Sequence, residues 1–499
     1  MGNMKRTHWI VLLATAISVL TTEAAAQTPL PKVTGPIVVT PGSFPFLAAD
    51  RNLQPVDLKK KGYVEEEFIV SGTANVYDWT ADGAVTAKTA NVPYGTRILV
   101  RRPASSANFS GNVVVELLNA VRRVDWAWMW GYTQDSLIER GDAWVGITMP
   151  AAAQSLKTFN GSRYAALTFA NPASVPCPGA RGGAAADEEG LRWDMISQVG
   201  ALLKSSVAAR PLAGLRVQAV FLTTGQSPDL ITYINAIHAR ATVDGGKPVY
   251  DGYLIKQPAA PSRINQCAAA PPRGDARQTI KGVNVPVIAI VAQGEVIAGL
   301  PFRKPDSEDP GTRFRLYEVA GASHIDWAAY TALPSFPDQS AAGIMPQGDP
   351  TWPISARCEP DIRLDELPLM TYIFDVAFAN LEQWVRKGTP PPRAPRVQVN
   401  DEAAATASIA TDAAGNGIGG VRSPYVDVPT AAYLTTSPGP GNCREFGHKV
   451  PMDSARLQAL YASDKIYADK IAKSVDDLVK ARWLTESSAR RIKQELTTR

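Results

Sequence analysis

Three side chains at the ends of apolar runs stand in an order that could cleave an acyl bond. Residues Val217 to Leu222 form an apolar run that leads through Thr223-Thr224 into Gly225-Gln226-Ser227, and Pro228-Asp229 then opens a helical pattern through Tyr233 and Ile234. A strand, a tight turn and a helix with serine at the corner hold the hydroxyl proud of a sheet, where a base can take its proton as it attacks a carbonyl carbon. Two later runs each deliver one ionisable group. Val285 to Ala292 is followed by Gln293-Gly294-Glu295, and Phe314 to Val319 by Ala320-Gly321-Ala322-Ser323-His324. Ser227 reads as the nucleophile, His324 as general base and acid, and Glu295 as the partner that orients the imidazole and stabilises its cation. Asp326 and Asp306 are the alternative acids. Of the four histidines only His324 follows a late strand: His8 lies in the N-terminal apolar segment, His238 in the helical stretch after Ser227, and His448 towards the C-terminus.

The corner departs from the usual G-x-S-x-G pattern, because Asp229 stands where the last glycine would be. Pro228 matters more. The amide after the nucleophile normally donates to the developing oxyanion, proline has no N–H, and one such donor is worth about 2.7 to 4 kcal/mol. A competent site needs a replacement from the loop after Leu118 or from a side chain. Ser227-Pro228-Asp229 also spells an ordinary helix start, with serine as cap, proline at the first helical position and acid in the first turn. Asn119, Ala120, Gln226 and Trp126 are the candidates for oxyanion and substrate contacts. Trp126, Trp128, Trp130 and Tyr132 alternate just after that loop; they could wall an acyl pocket or serve as core packing.

The elements that must position these groups are legible as short β-branched runs: Glu67 to Ser71, Arg97 to Arg101, Val113 to Leu118, Ala143 to Thr148, and the three runs above. The later ones are almost continuously apolar, as expected of parallel strands covered by helices on both faces. Helices are predicted over Leu191 to Lys204, with Leu191, Met195, Val199 and Leu202 on one face, and over Leu367 to Arg386, which stops at a basic last turn, Gly388 and Pro390. The proline-rich stretch Thr389 to Val397 reads as a linker. Residues 398–450 are turn-rich, while 453–498 read as helices with Tyr467, Ile471, Val475 and Leu478 in register and Thr485 as a cap. The expected organisation is a leader over 1–26, a core with N-terminal strands over 27–397, and a C-terminal extension over 398–499 packed on that core.

Composition bounds the function. The chain has 499 residues, 45% of them hydrophobic, and 51 Lys+Arg against 47 Asp+Glu, a balance that leaves no basic footprint for nucleic acid. Lys5-Arg6, the apolar run Trp9 to Leu20 and Ala24-Ala25-Ala26 before Gln27 fit a cleaved signal peptide, since about 12 apolar residues fall short of the roughly 20 that span a bilayer. The expected location is periplasmic or secreted, with no membrane association after cleavage. The cysteines, Cys177, Cys267, Cys358 and Cys443, are far apart in sequence; an even count in an exported chain predicts two disulfides, in one of three pairings. Gly415-Asn416-Gly417-Ile418-Gly419-Gly420 has neither the preceding strand nor the following helix of a dinucleotide loop. No HExxH or close histidine pair supports a catalytic metal, and the chemistry above requires no cofactor.

Taken together, Gly62-Tyr63-Val64-Glu65-Glu66-Glu67-Phe68, Tyr94-Gly95-Thr96-Arg97, Val113 to Asn119, Thr224-Gly225-Gln226-Ser227, Tyr233-Ile234-Asn235, Ala320 to His324 and Gly419 to Pro429 resemble the α/β-hydrolase superfamily. The likeness is to its bacterial exported members with a C-terminal extension. It implies an α/β fold with a mostly parallel central sheet flanked by helices, inserted loops, and an extension belonging to the hydrolase unit. It also implies a triad in the order Ser, acid, His, and an oxyanion loop at Asn119 and Ala120. The expected activity is that of a serine esterase acting on a small-molecule carboxylic ester through an acyl-enzyme. The rival expectation, raised by Pro228 and Asp229, is a hydrolase-like protein that binds such a ligand without turning it over.

Overall fold

The computed structural model describes residues 27–178, 183–225, 227–256, 259–344, 358, 369–439 and 441–497. The leader and Gln226 lie outside the described residues. Nine strands form the central sheet: β1 (Lys32–Thr34), β2 (Tyr63–Trp79), β3 (Val85–Pro103), β4 (Asn112–Leu117), β5 (Ala143–Ile147), β6 (Ala219–Thr224), β7 (Gly252–Lys256), β8 (Val287–Ala292) and β9 (Phe314–Val319). Their order is β1-β2-β3-β5-β4-β6-β7-β8-β9. The first three strands join antiparallel, β3 meets β5 antiparallel, and every pairing from β5 to β9 is parallel. Each residue of β4 to β9 is buried, which accounts for their unbroken apolar runs.

Strands β2 and β3 are far longer than the sequence suggests, 17 and 19 residues. A register shift between Ala74 and Val76 interrupts the side-chain alternation, so periodicity reveals only the part of each strand on one side of it, Glu67 to Ser71 and Arg97 to Arg101. Strand β7 has no counterpart among the predicted runs. Its three apolar residues, Tyr253, Leu254 and Ile255, are too few to register, and Lys256 at its end reads as surface in sequence but is wholly buried.

The helices that bear on the site are α1 (Trp128–Arg140), α2 (Arg192–Lys204), α3 (Ser227–Thr232) and α4 (Leu369–Lys387), with α5 (Asp464–Lys480) and α6 (Glu486–Thr497) in the C-terminal region. Glu116 on β4 fixes the start of α1: its carboxylate accepts the backbone N–H groups of Met129 and Trp130, each at 2.9 Å, and the indole N–H of Trp144. Acid at a helix N-terminus satisfies orphan donors and the dipole together. Thr485 caps α6, its hydroxyl accepting the N–H of Ser488.

Residues beyond 397 run along the sheet edge and onto the helices. Val421 N–H donates to Glu318 O and Ala320 N–H to Val421 O, so this segment continues the sheet beside β9. Asp375 of α4 receives Ser488 and Arg491 of α6, and Asn380 exchanges hydrogen bonds with Arg482. The two disulfides pair Cys177 with Cys267 and Cys358 with Cys443. Among the described residues no helix is long and apolar enough to cross a membrane.

Candidate active site

Parallel strands end on one side of a sheet, and in open α/β sheets ligands bind outside those carboxyl ends. Ser227 follows β6, Glu295 follows β8 and His324 follows β9. Ser227 and His324 line one cavity of about 280 Å³ together with Asn119, Trp126, Trp128 and Pro228. His324 Nδ1 lies 2.5 Å from Glu295 Oε1, which leaves Nε2 as the ring nitrogen not committed to the carboxylate. Glu295 is held at its other oxygen too: Oε2 accepts the N–H of Ala292 at 2.9 Å. Burial by itself would push this carboxyl up, but the Lys256 ammonium and the His324 hydrogen bond outweigh it and bring it below its ordinary range.

Lys256 is the residue that sequence reasoning missed. Its Nζ donates to Glu295 Oε1 at 2.9 Å and sits 4.8 Å from the centre of the Trp128 ring. The only sequence signal for it is a short apolar run ending in lysine ahead of Gln257-Pro258.

The corner itself is built by close approach. A Cβ on Gly225 would lie 2.5 Å from Cβ of Trp128, so glycine is required where β6 passes α1. Pro228 and Asp229 are both anchored to the segment after β7: Ser262 N–H donates to Pro228 O at 3.1 Å, and Ser262 Oγ donates to Asp229 Oδ1 at 2.5 Å. Asp229 also faces Arg192 Nε at 3.2 Å. An aspartate in place of the usual glycine is thus accommodated by an ion pair with α2.

The loop after β4 is a tight bridge. Asn119 N–H donates to Trp126 O, and Asn119 Oδ1 accepts the N–H of Val121, each at 3.0 Å. Asn119 lines the cavity with Ser227, whereas Ala120 lines the adjoining cleft beside Asp229 and Arg192. The aromatic group divides. Trp126 and Trp128 meet edge to face at 4.7 Å and wall the cavity, with Trp128 5.3 Å from the His324 ring. Trp130 and Tyr132 turn into the core against Trp144 and Phe374. A helix beginning at Trp128 breaks the alternation that would have put all four on one face.

The alternative acids serve other ends. Asp326 caps the short helix after His324, accepting the N–H of Ala329, and Asp306 pairs with Arg396 at 2.8 Å. The other described histidines are engaged elsewhere: His238 bonds Tyr253 and Asn284, and His448 bonds Ser437.

The sequence model of the alpha/beta hydrolase domain family matches residues 33–494. The chain belongs to that family, and the match includes the C-terminal region. No curated protein sequence matches it. Among solved structures it is similar to a fungal esterase from Rhizomucor miehei, at 11% identity over 58% of this chain and 88% of that one, with a TM-score of 0.31. It is also similar to a thermostable esterase from Pseudomonas putida, at 11% identity over 58% and 82% of the two chains, with a TM-score of 0.29. At those values the family match carries the assignment.

Proposed function

We propose that this α/β hydrolase is a serine esterase that cleaves a carboxylic ester through an acyl-enzyme. The observation that carries the reading is the shared cavity of Ser227 and His324, with Glu295 2.5 Å behind the imidazole. Ser227 Oγ attacks the ester carbonyl carbon while its proton passes to His324. The tetrahedral intermediate collapses, the bond from carbonyl carbon to alkoxy oxygen breaks, and His324 returns the proton to the departing alcohol. Water then attacks the acyl-enzyme, again giving its proton to His324, and the acid leaves as Ser227 recovers its own. Asn119, an amide side chain lining the same cavity, is the candidate for the donor that Pro228 lacks, and Trp126 and Trp128 form the apolar wall for the acyl or alcohol group. Incubation with short p-nitrophenyl esters and a fluorophosphonate probe tests this reading. Wild type is expected to turn over and be labelled, and labelling equal to that of Ser227→Ala overturns it.

Pro228 supports one second reading, a hydrolase-like protein that retains the ester without chemistry, because an oxyanion donor is absent at that position. Saturable ester binding without label or turnover distinguishes it. We also infer export. The support is the leader-like pattern of residues 1–26 and two disulfides, bonds that persist in oxidising compartments. The expected mature N-terminus is Gln27, and recovery of the uncleaved chain inside cells counts against it.

A further inference from the structure

Lys256 has no exposed surface, and an ammonium removed from water costs several kcal/mol unless it is closely paired. Its partner is the carboxylate oxygen that already receives His324 Nδ1. Orientation of the imidazole does not require it, because Ala292 N–H pins the other oxygen of Glu295. What the ammonium adds is charge. We propose that Lys256 is a positioning residue of the Glu295–His324 pair, whose ammonium balances the carboxylate so that the imidazole stays neutral and able to accept the serine proton. The inference rests on the serine-esterase reading for its catalytic consequence.

Charge counting gives the direction. With Lys256 present, Lys⁺, Glu⁻ and neutral imidazole sum to zero, and protonating the half-buried ring leaves the cluster with an uncompensated positive charge. Without Lys256 the pair carries a net negative charge, which a proton on the ring removes. Asp326, attracted by Lys256, and Tyr132 of α1, which feels both Asp326 and Glu295, also act on this cluster; both are buried and neither is cationic. Arg122 and Glu445 line the cavity on the His324 side, half-buried and of opposite charge, and neither has the wholly buried seat of the lysine. The face of Trp128 covers the ammonium and shields it from the cavity.

The test compares wild type, Lys256→Met, Lys256→Gln and Lys256→Arg. kcat/KM for p-nitrophenyl acetate is measured against pH, and the His324 ring is followed by ¹⁵N NMR, its signals assigned by difference with His324→Asn. Both neutral variants should move the acid limb and the ring titration up by about one pH unit or more, with rate recovered at alkaline pH, while Lys256→Arg stays near wild type. Loss of rate at every pH with an unmoved limb means a packing role only and overturns the proposal. If wild type shows no esterase activity, the ring titration still decides: a shift in the neutral variants supports the role of Lys256 although the serine reading has failed. An imidazolium at pH 7 in the wild-type chain overturns the proposal without any variant.

Discussion

Glu295 accepts from a lysine, a histidine and a backbone amide, and accepting from all three at its two oxygens requires a carboxylate. Lys256 and His324 share Oε1 while Ala292 uses Oε2, so Glu295→Gln, with a single acceptor oxygen, turns its NH₂ either on the Ala292 N–H or on both Lys256 and His324. By analogy with carboxylate-to-amide exchange in a serine triad, kcat/KM for a p-nitrophenyl ester should fall by about 10⁴-fold, whereas the far-ultraviolet spectrum should be unchanged. Gly225 makes a different demand. Alanine there would drive a methyl into Trp128, and overpacking of this kind costs about 1–3 kcal/mol. The expected outcome for Gly225→Ala is a lowered urea midpoint together with loss of fluorophosphonate labelling, because the residue that shifts is the cavity wall. At this scale sequence reading singles out Ser227, Glu295 and His324, since each follows an apolar strand at a turn, and the fold gathers them at the carboxyl ends of the parallel strands. It misses Lys256, because a lysine closing a three-residue apolar run carries no local sign of burial; only its neighbours across the sheet, on β8 and beyond, make it an interior group.

Among the elements, the loop bearing His324 is held from the C-terminal region. Ile325 N–H donates to Glu445 O, Glu445 also lines the cavity, and Cys443 two residues earlier is joined to Cys358. A chain ending at Val397 loses this strut as well as the edge pairing at Val421, so truncation there is expected to yield unfolded protein, checked by circular dichroism and by exclusion chromatography. A milder change isolates one contact. Arg491→Ala leaves the buried carboxylate of Asp375 with the Ser488 hydroxyl as its α6 partner, and should lower stability by about 1–3 kcal/mol in urea denaturation. The helical periodicity of 453–498 is plain in sequence, but its destination is not, because an amphipathic stripe says that a face is covered without saying by what. In the same way, four cysteines announce two bridges and leave three pairings open until the chain is folded.

For the molecule as a whole, several buried carboxyl groups share a pH trend, among them Glu116, Asp326 and Asp375. Burial pushes Glu116 and Asp326 up to about 7 and Asp375 up to about 6, in each case against hydrogen bonds or cations that pull the other way. A group whose folded value lies above its unfolded value binds more protons in the folded state, so its contribution to stability is full below the unfolded value and is lost as pH rises through the folded one. For Asp326 that window runs from its ordinary 3.8 to about 7. These groups therefore favour the folded state at pH 5 over pH 8. Asp326 permits a direct measurement: Oδ1 accepts the N–H of Ala329, while Oδ2 is buried with no hydrogen-bond partner among the described residues, so asparagine can keep the cap while it removes the ionisation. The stability advantage of Asp326→Asn over wild type in urea denaturation should grow by a few kcal/mol between pH 5 and pH 8, the linkage expected of a shift of this size. An equal difference at both pH values would mean that Asp326 ionises in the fold as easily as in the unfolded chain. The whole-chain trend would then have to come from the other raised carboxyl groups, among them Glu116, which accepts at both oxygens, and Asp375, whose Oδ2 takes Ser488 and Arg491, and replacing either would disturb the start of α1 or the seat of α6.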